Sequence, residues 1–388
     1  MDTHPIRFVD RSRIVTDWTC PRKRYWQYEY LGRGIQPDVT SLELFLGTAL
    51  HDGLARIADQ HLLNTESPQV LIDAIASQAQ RDVFESLSAT PVGEIPDPDT
   101  LTFAAEQAAL VEGILRGFYR YGWPRLLQEG WKIVAVEREV LYSISAILKF
   151  MSKPDLILED PEGNWWYVEF KSTSSKKSSW IDQWATAVQL HSSVEAVRET
   201  LGHEVTGVIV QGLYKGYESY GRQNSPFCYA YIRAGNPPFT QDQIRYDYQA
   251  GFRRSPTWQL DGGVARWVTQ MPDEILADQF PQVPPIFLKE ELIRDFFRQT
   301  QFREDEIVAG LRRMADSAGI PEEVADILNE VFPQRFDQCS PGWGRGCSYR
   351  RLCHGRVDDP LSQGYTWRVP HHTPELGQQL GEGTVGAE

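Results

Sequence analysis

Apolar residues recur at helical spacing from Leu44 to His61, where Leu46, Leu50, Leu54 and Ile57 fall along one side. Further helices are predicted from Ser67 to about Leu87 and from Thr100 to about Tyr121, on either side of the proline-rich break TPVGEIPDPDT. The period then changes. Trp131 to Ser143 alternates as a strand, Ile147 to Glu159 and Trp165 to Lys171 supply two more, a helix runs from about Trp180 to Leu201, and Val205 to Tyr214 returns as a strand. Near the N-terminus a short helix from Ser12 ends near Trp18, and Pro21 begins a second. Leu288 to Ala318 reads as an amphipathic helix with Leu292, Ile293, Phe296 and Phe297 on its apolar face.

This order gives an α/β reading: a helical block, a β-β-β-α-β core, and a C-terminal elaboration. The boundaries expected are 1–130 for the helical region, 131–235 for the core, 236–370 for the elaboration and 371–388 for a disordered tail. Asn236 to Pro285 shows no clear period, and Cys228 in the strand-like PFCYAYI reads as a buried core cysteine.

The chemistry concentrates in KPDLILEDPEGNWWYVEFK, Lys153 to Lys171. Asp155 heads an apolar run, Asp160 to Asn164 form a turn, and the chain returns to Glu169, Phe170 and Lys171, which reads as a hairpin. Glu169 and Lys171 are two apart, so both leave one face of their strand while Phe170 leaves the other. Asp155 can lie alongside them. Two carboxylates and an ammonium so placed suit a hard divalent cation and an attacking water. A solvated strand face with a cross-strand ion pair yields the same three residues, so the pattern alone does not decide.

Composition narrows the reading. The 388 residues carry 12 Trp, 16 Tyr and 17 Phe, which favours a folded, aromatic-rich protein. No apolar run approaches a membrane span and no signal peptide is evident, so a soluble cytoplasmic protein with no membrane contact is expected. The net charge of −14 argues against a protein that coats nucleic acid non-specifically. Local basic groups remain: Arg22, Lys23 and Arg24; Lys171, Lys176 and Lys177; Arg345, Arg350 and Arg351. The first triplet could meet phosphates, while the aromatics beside it, Tyr25, Trp26 and Tyr28, are better read as core. Glu106 and Glu112 read as solvated.

Four of the five cysteines are Cys20 and the C-terminal set Cys339, Cys347 and Cys353, spaced C-x7-C-x5-C. Close spacing in a cytoplasmic chain reads as metal ligation rather than disulfides, with Cys20 the natural fourth ligand and zinc the first choice from spacing alone.

Asp155, Glu169 and Lys171 resemble the core of the PD-(D/E)XK nuclease superfamily, whose fold is a restriction-endonuclease-like mixed central sheet flanked by helices. The wider set resembles its RecB-like branch. Gly47 and His51 lie four apart on the predicted helix ahead of the hairpin, where that branch carries a histidine as a further metal ligand. Gln189 matches a glutamine of the branch, and Ser193 departs from the tyrosine that follows it. One N-terminal and three C-terminal cysteines resemble the subgroup of AddB and the CRISPR-adaptation nucleases, in which a [4Fe-4S] cluster staples the chain ends. There the usual C-terminal spacing is C-x2-C-x5-C, so Cys339 departs, with His354 the alternative ligand.

The resemblance implies a metal-dependent DNA nuclease, an exonuclease by preference, with DNA repair or recombination as the setting. His51, Asp155, Glu169 and the Phe170 carbonyl would hold Mg²⁺ or Mn²⁺, Lys171 would position the attacking water, and Gln189 would line the site. Cys20, Cys339, Cys347 and Cys353 would hold [4Fe-4S], with zinc as the alternative. The implied partners are single-stranded or duplex DNA ends and proteins of a repair, phage or defence complex. The competing reading is a non-catalytic DNA-binding or assembly scaffold that keeps the nuclease fold.

Overall fold

The computed structural model describes residues 6–38, 41–62, 68–89, 96–173, 178–185, 187–214, 280–287, 289–339, 346–355, 359–370 and 372–375. Its centre is the predicted hairpin. β6 (Leu156–Glu159) pairs antiparallel with β7 (Trp165–Thr173), with Leu156 opposite Val168. The Asp160 carboxylate closes the turn by accepting from the Glu162 and Asn164 amides and from Trp166 Nε1, while Gly163 takes φ 85°.

β3 (Lys132–Val136) and β8 (Val205–Tyr214) flank the hairpin, and β9 (Ile286–Phe287) completes a five-stranded sheet in the order β3-β6-β7-β8-β9. The β7–β8 pair is parallel and the others are antiparallel. Alternation decides which face each side chain takes. Leu156, Leu158, Val168, Phe170 and Ile209 pack beneath α3 (Leu42–Leu62), α4 (Pro68–Ser88) and α5 (Pro98–Gly117). Ile157, Tyr167, Val208 and Val210 face the opposite side, against α8 (Val188–Leu201) and a second sheet. Burying both faces explains the near-continuous apolar runs of β6 and β8. The N-terminal helices therefore share one core with the sheet.

The second sheet has the order β1-β5-β4, from β1 (Arg7–Asp10), β4 (Val140–Ser143) and β5 (Leu148–Ser152), with β1 parallel to β5. Each of the two long strands expected, Trp131–Ser143 and Ile147–Glu159, is thus two strands that cross between sheets. One crosses at Glu137, whose φ is 41°, and the other at Lys153, Pro154 and Asp155. A left-handed residue and a proline that cannot donate both interrupt a ladder. The helix expected from Trp180 to Leu201 is likewise two, α7 (Ser178–Ala185) and α8.

Cys20 is the hinge between α1 (Arg11–Thr19) and α2 (Pro21–Arg24), and a π-helical turn, Tyr25–Glu29, follows. The chain ends meet where β2 (Ile35–Pro37) pairs with β10 (Tyr365–Trp367) and Tyr349 donates to the Ile35 carbonyl at 2.8 Å. The long helix α9 (Glu290–Asp316) buries Ile293, Phe296 and Phe297 but leaves Leu292 exposed, which narrows its expected apolar face. α10 (Pro321–Val331), α11 (Phe336–Cys339) and α12 (Arg350–Cys353) follow.

Several polar expectations are corrected by burial. Arg24 is fully buried between Glu29 and Glu304, and Arg22 donates to the Phe332 carbonyl and Asn329, so neither faces a phosphate. Glu112 is buried and pairs with Arg116 rather than being solvated. His372 to Glu375, expected to be disordered, form an ordered turn in which Glu375 accepts from the buried Arg13 at 2.5 Å. Cys228, Lys176, Lys177, Arg345, the side chains of Gln189 and Glu106, and residues 376–388 lie outside the described residues.

Candidate active site

Asp155 lies where the chain leaves the second sheet and enters β6. Its Oδ2 accepts from the Phe170 amide at 2.6 Å, which fixes the carboxylate against the neighbouring strand. Its Oδ1 lies 2.9 Å from His51 Nδ1 on α3, a helix packed over the same sheet. An imidazole donating from Nδ1 presents Nε2 as its acceptor. Burial alone lowers the His51 pKa, and Asp155 outweighs that and raises it.

The Phe170 ring is buried against Phe118 at 5.4 Å between centroids, so the strand that carries the Phe170 backbone is anchored in the core. A Cβ on Gly47 would meet only Ser172 Oγ at 3.9 Å. Among the described residues no backbone comes close to Gly47, and the glycine leaves α3 without a side chain over the end of β7.

A third acid joins that the sequence did not single out. Glu137, at the end of β3, donates its amide to the Asp155 carbonyl at 3.1 Å and pairs its side chain with Lys153 at 2.5 Å. Ligand atoms of His51, Glu137 and Asp155 all lie within 4.8 Å of one another. Donors on an octahedron of about 2.1 Å radius are about 3 to 4.2 Å apart, so the spread is close to that of a small divalent ion. One imidazole with two carboxylates, and no thiol, is a donor set for a divalent cation.

Glu169 is buried beside this group. Oε1 meets both Lys171 and Arg11, the latter at 3.2 Å, and Oε2 accepts from the Tyr167 hydroxyl. Burial pushes the carboxyl up, but Lys171 and then Arg11 outweigh it and hold it at about 2. Burial and Glu169 push the Tyr167 phenol well above its ordinary range, so it remains a hydroxyl donor. The structure thus brings together His51, Asp155, Glu169, Phe170 and Lys171, and adds Glu137, Lys153, Tyr167 and Arg11. Gln189 belongs to α8; Ser193, one turn on, is buried and bonded to Ser152 Oγ at 2.9 Å.

The family model described as the PD-(D/E)XK nuclease superfamily matches residues 12–354, most of the chain. The chain belongs to the PD-(D/E)XK nuclease superfamily. Its mixed α/β fold agrees with that of the superfamily, whose members are usually metal-dependent nucleases. No curated protein matches the chain. No helix among the described residues is long and apolar enough to cross a membrane.

A second cluster lies at the junction of the chain ends. Cys20, Cys339, Cys347 and Cys353 are unpaired and line one cavity of about 160 Å³ with Thr19, Lys23 and Gln338. His354, the alternative ligand, is not among its lining residues. Cys347 donates its amide to the Cys339 carbonyl at 3.2 Å, which brings the C-terminal thiols together despite the longer spacing. Burial pushes the Cys353 thiol up to about 11.

Proposed function

We propose that the chain is a divalent-metal-dependent deoxyribonuclease that hydrolyses phosphodiester bonds at DNA ends, with a structural [4Fe-4S] cluster. The observation that carries this reading is the convergence of His51, Glu137 and Asp155 beside the Glu169 and Lys171 pair.

His51, Glu137 and Asp155, joined by Glu169 and the Phe170 carbonyl, would hold Mg²⁺ or Mn²⁺. The ion would polarise a phosphate oxygen and acidify a water when bound. Asp155 is oriented by the Phe170 amide and His51 by Asp155, so these donors are set in place before substrate arrives. Glu169 stays ionised at working pH. Lys171 leaves the same strand face and would orient the attacking water and stabilise charge on the phosphate. Tyr167 holds the other oxygen of Glu169 and keeps the carboxylate from rotating away.

The test is cleavage of end-labelled linear and covalently closed DNA, single- and double-stranded, by anaerobically purified protein and by Lys171→Ala. The reading expects cleavage of linear DNA, sparing of closed DNA, and a loss of about 10² to 10⁴ in rate for the variant. Folded, metal-loaded protein that cuts nothing would favour the scaffold instead.

For the thiols, the supporting observation is that Cys20, Cys339, Cys347 and Cys353 line one cavity. Four thiolates so gathered suit a [4Fe-4S] cluster, which would tie α1 to the C-terminal segment. Anaerobically purified protein should be brown, with about four irons per chain; colourless protein with one zinc would reject the cluster.

A further inference from the structure

Arg11 reaches the site from outside the hairpin. It is the first residue of α1, and Asp10 caps that helix by accepting from the Arg13 amide at 2.7 Å. Asp10 is also the last residue of β1, paired with Met151 at the end of β5, just before Lys153 and Asp155. The Arg11 backbone is therefore fixed to the strand that delivers Asp155. It also lies one residue before the span matched by the superfamily, so nothing in that match assigns it a role.

Arginines with an architectural task in this fold spend their donors internally. Arg24 makes three bonds to Glu29 and Glu304, and Arg22 makes three to Leu328, Asn329 and Phe332. Arg11 differs. Among the described residues one polar contact engages it, from Nη1 to Glu169, and its side chain is 30% exposed. A guanidinium has five N–H donors in a rigid fork, so most of them make no hydrogen bond among the described residues.

The charge count points the same way. Glu137, Asp155 and Glu169 are matched by Lys153, Lys171 and Arg11. A divalent cation would leave the site with two positive charges in excess. The phosphate being cut balances one, and a neighbouring phosphate of the same strand balances the other.

Resting on the nuclease reading above, we propose that Arg11 is a substrate-positioning residue that grips, through its free N–H fork, the phosphate next to the one being cut. It aligns the strand and performs no proton transfer. A charge-assisted fork to phosphate is the strong class of hydrogen bond, and its loss corresponds to about a tenfold or greater weakening.

The test compares the full-length protein with Arg11→Gln and Arg11→Lys. KM and kcat for linear DNA are measured with Mn²⁺, and binding is measured with Ca²⁺ across a salt series. For Arg11→Gln, KM should rise about tenfold while kcat stays within about threefold. The slope of log affinity against log salt should flatten by about 0.7 on single strands or 0.9 on duplex, one phosphate contact's worth. Arg11→Lys should recover most of the slope but keep a raised KM, because an ammonium retains the charge and loses the fork, and a wild-type KM in Arg11→Lys would overturn the proposal if Arg11→Gln cannot be purified. An unchanged KM and slope in Arg11→Gln would overturn the proposal, as would a lost kcat with a raised Mn²⁺ requirement, which would make Arg11 only a partner of Glu169. Wild-type protein that neither binds nor cuts DNA would overturn the nuclease reading together with it.

Discussion

At the scale of single residues, the site depends on carboxylates whose neighbours set their direction. Glu137 is held by Lys153 and by the hydrogen bond its amide donates to the Asp155 carbonyl, and its carboxylate lies within 4.8 Å of the His51 and Asp155 ligand atoms. Glu137→Gln or His51→Ala should therefore raise the Mn²⁺ concentration for half-maximal cleavage by at least about tenfold, read from cleavage rates across a metal titration. An unchanged requirement would remove that residue from the site. The proximity of Asp155, Glu169 and Lys171 was legible because a strand's period of two and a hairpin turn leave a spacing. That of Glu137 was not, because an acid in the polar run Glu137 to Glu139 has no distinguishing spacing; its place beside Asp155 comes from φ 41° and contacts across the sheet. The Arg22 to Arg24 run misled for the opposite reason. Adjacent cations with aromatics resemble a nucleic-acid surface, and what neutralises Arg24 is Glu304, 280 residues away in sequence.

At the scale of elements, the hairpin, its turn and the flanking helices follow from periodicity and from Asp160 and Gly163. The two sheet crossings do not. The polar runs Glu137 to Glu139 and Ser152 to Asp155 interrupt the apolar pattern, but a polar run inside a strand does not by itself show a change of sheet until neighbours are known. Both crossings lie at the site, and they are what turns Glu137 and Asp155 toward His51. The strand bearing Glu169 is backed by Phe118, fully buried against Phe170, Phe280 and Trp123. Phe118→Ala should cost about 3 to 5 kcal/mol in urea unfolding. A loss under 1 kcal/mol would mean that the helices and the sheet do not share a core here.

Across the whole molecule, the ends are joined by ion pairs that local sequence patterns do not reveal. Glu29, Glu304 and Arg24 are buried and pair with one another and with the half-buried Arg7, linking β1, the π-helical turn and α9. Burial raises both carboxyls, but the arginines outweigh it, Arg7 first for Glu29 and Arg24 first for Glu304, and both end below the ordinary 4.5. Groups depressed in the folded state stabilise it above their unfolded value, and that contribution is lost as pH falls through the folded values. The urea midpoint should therefore hold from pH 7 to about 5 and drop steeply below about 4.5. Glu304→Gln should cost about 3 to 5 kcal/mol at pH 7, because it leaves Arg7 and the buried Arg24 to share the single charge of Glu29, and should make the acid limb shallower. An equally steep limb in the variant would assign the acid sensitivity elsewhere. The net charge of −14 coexists with a site of three cations around three carboxylates, so the overall sign is a poor guide to the local field.

The most direct test of the account is the rate of linear-DNA cleavage against Mn²⁺ concentration for the wild-type chain, Asp155→Asn and Lys171→Ala together. The account predicts that Lys171→Ala keeps the metal half-saturation of the wild type but loses about 10² to 10⁴ in rate, while Asp155→Asn loses both rate and saturation. Undiminished cleavage in both variants would contradict it, placing the chemistry somewhere other than the His51, Glu137, Asp155, Glu169 and Lys171 site.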